Sequence, residues 1–299
     1  MSYHDPVLLK ESIEYLAVKR DGIYVDATFG GGGHSKAILA QLGPKGRLLG
    51  FDQDEDASAN LLDDPRFTFV AGNFRHLQRY LRLHGVEKID GLLADLGVSS
   101  HQFDTAERGF SYRFESELDM RMDRGGGKTA ADILNTYDAN SLQQIFSEYG
   151  EVRNARTLAQ RIAEVRGKKP FKTVGDLLAL AEALAKGQKM RYLSQVFQAL
   201  RMEVNEEAEV LEALLQGAQE ALNPEGRLVV ISYHSIEDRM VKNFLKTGNI
   251  QGEVQSDFYG NIYRPFEILT KKAEAPSQEE LNRNPRARSA KMRAGIRLK

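Results

Sequence analysis

Four consecutive glycines, Gly30 to Gly33, follow the apolar segment YVDATF and lead into His34, Ser35 and a helix-forming run. A glycine-rich turn from strand to helix lets a ligand lie against bare backbone, and the helix N-terminus behind it favours an anionic group. Three ligands use this device: the phosphates of a nucleoside triphosphate, the pyrophosphate of a dinucleotide, or the carboxylate end of a methionine-derived cofactor. Acidic residues end two later apolar runs, Asp52 in LLGFDQDED and Asp95 in LLADLGVSS. A carboxylate behind the second strand can accept hydrogen bonds from both hydroxyls of a ribose, which suits NAD and S-adenosylmethionine alike. Asn73 and Phe74 follow a third run in AGNFRHL, where the ring either flanks an adenine or belongs to the core.

Two readings of the glycines weaken on inspection. GGGKT at 125–129 ends like a phosphate loop, but that motif needs a glycine where Met122 stands and a buried strand where ELDMRMD stands. The dinucleotide fingerprint is incomplete. Gly30 and Gly32 fit its first two positions, while Ser35 occupies the third, where glycine lets helix and strand pack closely. No metal site is expected: the six histidines show no paired spacing, and DQDED at 52–56 lacks the glycine and terminal glutamate of a calcium loop.

The elements that must position these residues alternate. GIYVDAT (22–28), GRLLGFD (46–52), RFTFVAG (66–72), KIDGLLADLGV (88–98) and GRLVVISYH (226–234) read as strands. Between the first four, HSKAILAQLG and FRHLQRYLRLHG, the latter ended by Gly85, read as helices. Such alternation predicts an α/β fold, a Rossmann-like parallel sheet covered on both faces. Ligands of open α/β sheets bind outside the carboxyl ends of the strands, so chain order alone brings Gly32, Gly33, His34, Asp52, Phe74 and Asp95 to one edge. His234 and Ser235 follow the fifth run at the same edge. There His234 either holds a substrate or caps the helix beginning near Ser235.

The rhythm breaks after Val98 and resumes near Glu206. TVGDLLALAEAL, with Thr173 three residues before Asp176, carries a capping box and an apolar face of Leu177, Leu180, Ala181 and Leu184. Residues 105–205 are therefore expected to form a mostly helical insertion in a sheet domain of 1–104 and 206–299. RPFEILTK (264–271) and SAKMRAGIRL supply further strands. A chain of 299 residues accommodates this plan.

Net charge is −1, so no global field points to a partner. The tail LNRNPRARSAKMRAGIRLK nevertheless holds seven basic residues and no acid. Arg286, Arg288, Lys291 and Arg293 are candidate RNA contacts there, and shielding of a sheet edge is the alternative. The chain lacks cysteine, which excludes disulfides, thiolate metal sites and a cysteine nucleophile. No leader and no spanning apolar run is evident, and a soluble cytoplasmic protein is expected.

DATFGGGGHS, DLGVSS, ERGFSYRFESELDMRMD, FQALRMEVNEE, SYHSIEDRMVK and NPRARSAKMR together closely resemble the MraW family. Its members are bacterial methyltransferases that act on the N4 amine of a cytosine in small-subunit ribosomal RNA. The likeness covers nearly the whole chain. It implies a Rossmann-like, S-adenosylmethionine-dependent methyltransferase sheet with an inserted helical domain for substrate recognition. It also implies S-adenosyl-L-methionine as cofactor, contacted by Gly32, Gly33, His34, Asp52, Phe74, Asp95 and Gln102. The implied partner is 16S ribosomal RNA in an assembling or assembled 30S particle, with no membrane, and a homodimer is left open.

Under that resemblance the glycines border the methionine end of the cofactor, and Asp52 and Phe74 take its ribose and adenine. Methylation at carbon 5 of a pyrimidine normally needs a cysteine that adds to the ring. An exocyclic amine needs only its lone pair freed and aligned, which positioning and electrostatics can supply. Asp95 is the candidate to accept a hydrogen bond from that amine or to fix the cofactor's amino group, with His234 as a second catalytic candidate. DLGV keeps the acid of the familiar amino-methyltransferase motif but lacks its prolines and aromatic ring. Two other functions compete: a non-catalytic RNA-binding or assembly protein that retains the pocket, and an NAD-dependent oxidoreductase, which Ser35 disfavours.

Overall fold

A computed structural model describes residues 6–97 and 105–299. The chain divides into two compact units, Met1–Gly97 with Glu209–Lys299, and Val98–Ala208. In chain order the first unit begins with α1 (Leu9–Leu16), β1 (Ile23–Asp26), α2 (Gly33–Gln41), β2 (Arg47–Asp52), β3 (Phe67–Ala71), α3 (Leu77–Leu83) and β4 (Ile89–Asp95). The second unit carries α4 (Ala130–Thr136), α5 (Ala139–Glu148), α6 (Ala155–Arg166), α7 (Val174–Leu184) and α8 (Lys189–Val204). Then follow α9 (Glu207–Ala221), β5 (Leu222–Ser232), α10 (Ser235–Thr247), β6 (Phe266–Ile268), α11 (Gln278–Arg283) and β7 (Lys291–Arg297).

Among the described residues the strands form one seven-stranded sheet in the order β3-β2-β1-β4-β5-β7-β6. Strands β1 to β5 pair in parallel, and β7 runs antiparallel to both β5 and β6. Continuous apolar runs make these strands because helices cover both faces: Val25, Leu48, Leu49, Leu92, Leu93, Leu228 and Val229 are fully buried. This is a Rossmann-like sheet extended by an antiparallel pair. Its strand order reverses between β1 and β4, where open α/β sheets leave a crevice at their carboxyl ends. The register Asp26↔Leu93 brings the glycine turn after β1 alongside the end of β4.

Strand β7 is interior, flanked by β5 and β6. Lys291 and Arg293 therefore guard no sheet edge, and the edge-shielding alternative fails for this strand. The edge on that side is β6, only three residues long, as suits an exposed edge.

The second unit has its own apolar core, in which Leu134, Phe146, Leu158, Ile162, Val196 and Leu200 are fully buried. Helix α7 starts where Thr173 and Asp176 cap each other, the Asp176 carboxylate accepting from the Thr173 N–H at 3.1 Å and the Thr173 hydroxyl from the Asp176 N–H at 3.4 Å. Leu177 and Ala181 are buried below it and Leu180 and Leu184 pack against the same core. No helix among the described residues is long and apolar enough to cross a membrane.

Candidate active site at the carboxyl edge of the sheet

The crevice is built around three carboxylates, each the last residue of its strand. Asp26, at the end of β1, is 1% exposed. Its Oδ2 accepts from the Ser35 hydroxyl at 2.6 Å and its Oδ1 from the Thr28 N–H at 3.2 Å. Burial pushes its carboxyl above the usual range, and His34 and these donors pull it back. Ser35 thus replaces the fingerprint glycine for a reason, since glycine there would cost a buried carboxyl its shortest hydrogen bond, the hydroxyl donor. Asp26 did not emerge from the sequence reading. The available signal was the one used for Asp52 and Asp95, an acid closing an apolar run.

Between Asp26 and Ser35 the turn depends on backbone that side chains disfavour. Gly32 adopts φ +73 as the N-cap of α2. At Gly33 a Cβ would stand 2.8 Å from the Pro6 ring. Phe29 anchors the turn from below, its N–H bonded to the Phe51 carbonyl at 2.8 Å and its ring 5.1 Å from that of Phe67.

Asp52 ends β2 and holds this turn. Its Oδ2 accepts from the Gly30 N–H at 2.8 Å and its Oδ1 from the Asp54 N–H at 2.9 Å. Burial lifts its pKa to about 6 against those two donors. Each oxygen keeps a further lone pair for a ligand. Next along the edge, Asn73 donates to the Gln53 side chain at 2.7 Å and caps a short 3₁₀ turn that begins with Phe74. Phe74 is half-buried.

Asp95 ends β4. Its backbone N–H donates to the Thr28 hydroxyl at 2.7 Å, which locks it to the glycine turn. Its Oδ1 accepts from the Tyr233 hydroxyl at 2.8 Å. Its Oδ2 lies 4.0 Å from His34 Nδ1, and His34 Nε2 is 3.0 Å from the Val7 carbonyl, to which it donates. Burial raises the Asp95 pKa to about 6, with His34 and the Tyr233 hydroxyl opposing. Burial, then the adjacent Asp95, drives the Tyr233 phenol far above its ordinary value. Sequence reasoning missed Tyr233 because its partner lies 138 positions away.

A family model described as the MraW methylase family matches residues 1–297. The chain belongs to that family. Similar proteins include several named ribosomal RNA small subunit methyltransferase H. That of Bacteroides thetaiotaomicron is 54% identical over 294 residues, covering 98% of this chain and 97% of the relative. That of Phocaeicola vulgatus is 55% identical over 292 residues, covering 97% and 96%. The protein of the same name from Flavobacterium johnsoniae is 52% identical over 299 residues, covering 100% and 99%.

In this MraW-family chain the remaining candidates fall into three groups. His234 is the N-cap of α10: its Nδ1 accepts from the Glu237 N–H at 3.4 Å, and its Nε2 faces Glu237 Oε1 at 3.2 Å without hydrogen-bond alignment. Glu237 Oε2 accepts from the Tyr233 N–H at 2.9 Å, so one buried glutamate fixes the loop that presents Tyr233 to Asp95. In the tail, the Arg293 guanidinium is taken up by Asp238 of α10 through bonds of 2.6 and 3.2 Å. Lys291 lies 3.5 Å from the same carboxylate and stays half exposed. Arg286 and Arg288 are exposed on the turn Pro285–Ser289. Gln102 lies outside the described residues.

Chemically, the edge offers bare backbone at a helix N-terminus flanked by carboxylates on three strands. A pyrophosphate placed there would meet like charge. A ligand carrying a sulfonium and an ammonium would meet opposite charge, while its own carboxylate faces the helix N-terminus.

Proposed function

We propose that this chain transfers a methyl group from S-adenosylmethionine to the exocyclic N4 amine of a cytosine in 16S ribosomal RNA, within an assembling or assembled 30S particle in the cytoplasm. Membership of a methylase family supports the reaction class. The carrying observation is Asp95, oriented by Tyr233 and Thr28 beside the glycine turn at the switch point of the sheet. S-adenosylmethionine is the cofactor, and when bound it supplies an electrophilic methyl group on sulfur. Gly32, Gly33 and His34 border its methionine end, Asp52 takes the ribose hydroxyls and Phe74 the adenine, with Gln102 completing the set. Asp95 accepts a hydrogen bond from the N4 amine and turns its lone pair out of conjugation with the ring. His234, fixed by Glu237, steadies the same edge.

The helical unit, 105–205 in the sequence reading, recognises the substrate, and Arg286, Arg288 and Lys291 meet phosphates, while Arg293 anchors β7. Nucleoside mass spectrometry of 16S ribosomal RNA from a deletion strain tests the reaction. N4-methylcytidine should vanish and return with the wild-type gene. Its persistence in the deletion strain would leave the chain a non-catalytic assembly protein.

Tyr233→Phe removes a donor that favours the charged form of Asp95, so the Asp95 pKa should rise from about 6. A hydrogen bond to a charged group contributes about 1.5–3 kcal/mol, and one pKa unit is about 1.4 kcal/mol. The acid limb of kcat/KM should therefore move up by about one unit or more, with activity near pH 8.5 largely retained. A limb that stays in place would show that Tyr233 does not act through Asp95.

A further inference from the structure

Between α10 and β6 the chain doubles back and places its bulkiest apolar side chains in solvent. Phe258 is 99% exposed and Tyr259 87% exposed, although aromatic rings are normally withdrawn from water. The hairpin that carries them is tightly built. Ser256 and Ile262 form an antiparallel bridge, and the Tyr263 N–H donates to the Gln255 carbonyl at 2.8 Å. The Asp257 carboxylate accepts from the Tyr259 N–H, the Asn261 N–H and the Asn261 amide at 2.9, 2.9 and 2.8 Å. At the base, the Tyr263 hydroxyl accepts from Gln219 at 3.0 Å. The two tip rings, 5.7 Å apart and at 87° to each other, are thus presented by a preorganised turn and cover nothing of their own fold.

Charge on the same stretch selects the partner. Residues 242–272 hold five basic side chains and three acids, a net charge of +2, and the anionic Asp257 at the tip faces the N–H groups of its own turn. Arg264 beside the hairpin is exposed, as are Lys242 and Lys246, one helical turn apart on α10. Exposed rings interleaved with cations are what a single nucleic-acid strand needs: bases stack on the rings and phosphates meet the cations. We propose that the Phe258–Tyr259 hairpin docks single-stranded ribosomal RNA, an unpaired base stacking on the tip while Arg264, Lys242 and Lys246 meet its phosphates. This rests on RNA being the substrate. It adds a contact remote from the chemistry. Strand β6 runs parallel to β5 through their common partner β7, so the hairpin enters the sheet at its amino end. Through Ile296, Glu267 sits level with Arg227, so Phe266 lies five residues short of Ile231, the partner of Asp95, about 16 Å along the strands at 3.3 Å per residue. The base stacked on the tip is therefore not the cytosine that is methylated.

The chain contains no tryptophan, so Phe258→Trp creates a single reporter at the tip. Titration with a short single-stranded oligouridylate, and with 30S particles from the deletion strain, should quench its emission. Phe258→Ala and Tyr259→Ala should each weaken binding about tenfold, with cofactor affinity and melting temperature unchanged. Stacking releases no counterions, so their salt slope should match that of wild type, whereas Arg264→Gln should flatten it by about 0.7. Unquenched emission with unaltered affinity in both alanine variants, while wild type binds and methylates the particle, would overturn the proposal and leave the functional reading intact. Wild type that neither binds nor methylates the particle would overturn both. A dimer in sedimentation that Phe258→Ala dissolves, without effect on RNA affinity, would assign the tip to a second copy of this chain and overturn RNA docking.

Discussion

Asp95→Asn should bring methyl transfer close to zero while making the free protein more stable at pH 8. The amide keeps the shape of the carboxylate, and its oxygen can still accept from Tyr233. What it removes is a negative charge that burial disfavours, as the pKa of about 6 records. The sign follows from linkage. A carboxyl whose folded pKa lies above its unfolded value near 3.9 binds more protons in the folded state, so the stability it contributes is present below about pH 4 and is lost as pH rises through about 6. Over roughly two units the loss is on the order of 3 kcal/mol. Thermal melts of variant and wild type should therefore diverge by several degrees at pH 8 and converge toward pH 4. Single-turnover methylation should fall by about a hundredfold to ten-thousandfold. Near-normal transfer at saturating cofactor would remove Asp95 from the chemistry. A rate restored only by raising the cofactor concentration would assign it to the cofactor's amino group. A site that destabilises its own fold is the trade-off expected where charge serves function.

The strands that bear this site were legible because both faces of the sheet are covered. Continuous apolar runs then mark β1 to β4 with little ambiguity. The start of β5 was not legible. Leu222 pairs with Ile89 and the next pair is Arg227 with Gly91, so Asn223 to Gly226 lie across a register shift, and LNPEG reads locally as a turn. Strand β7 was visible as a last strand, but its neighbours were not. Its basic residues read as RNA contacts or as an edge signal, whereas the Arg293 charge is neutralised by Asp238, 55 positions earlier, which allows the strand to lie inside the sheet. Within the site, Asp52 and Asp95 follow from strand ends and the glycines from their turn. The Asp26–Ser35 bond was hidden because Ser35 was judged against a glycine consensus and not as a donor. Tyr233 had no local pattern to betray it. By contrast, the capping role of His234 was readable, since Glu237 stands three residues on, as in a capping box.

Asp52→Ala should cost more cofactor affinity than the ribose bonds alone account for. Two contributions share this carboxylate. One is charged acceptance from the ribose hydroxyls, about 1.5–3 kcal/mol and hence about tenfold or more in affinity. The other is the tether that Asp52 provides to the Gly30 and Asp54 amides, which holds the glycine turn to β2 beyond the Phe29–Phe51 backbone bond. Together they should weaken S-adenosylhomocysteine binding by about a hundredfold. A 2′-deoxy analogue of that ligand separates them in a double-mutant cycle. Wild type should discriminate against the analogue by about tenfold, and Asp52→Ala should hardly discriminate, because the acceptor is already gone. The loss common to both ligands then measures the tether. Asp52→Asn should lie between, since its amide nitrogen cannot accept from a backbone N–H. Binding to wild type should also weaken as pH falls through about 6, where the carboxyl gains its proton. Equal discrimination by wild type and Asp52→Ala would take Asp52 away from the ribose and leave it only as the brace of the turn.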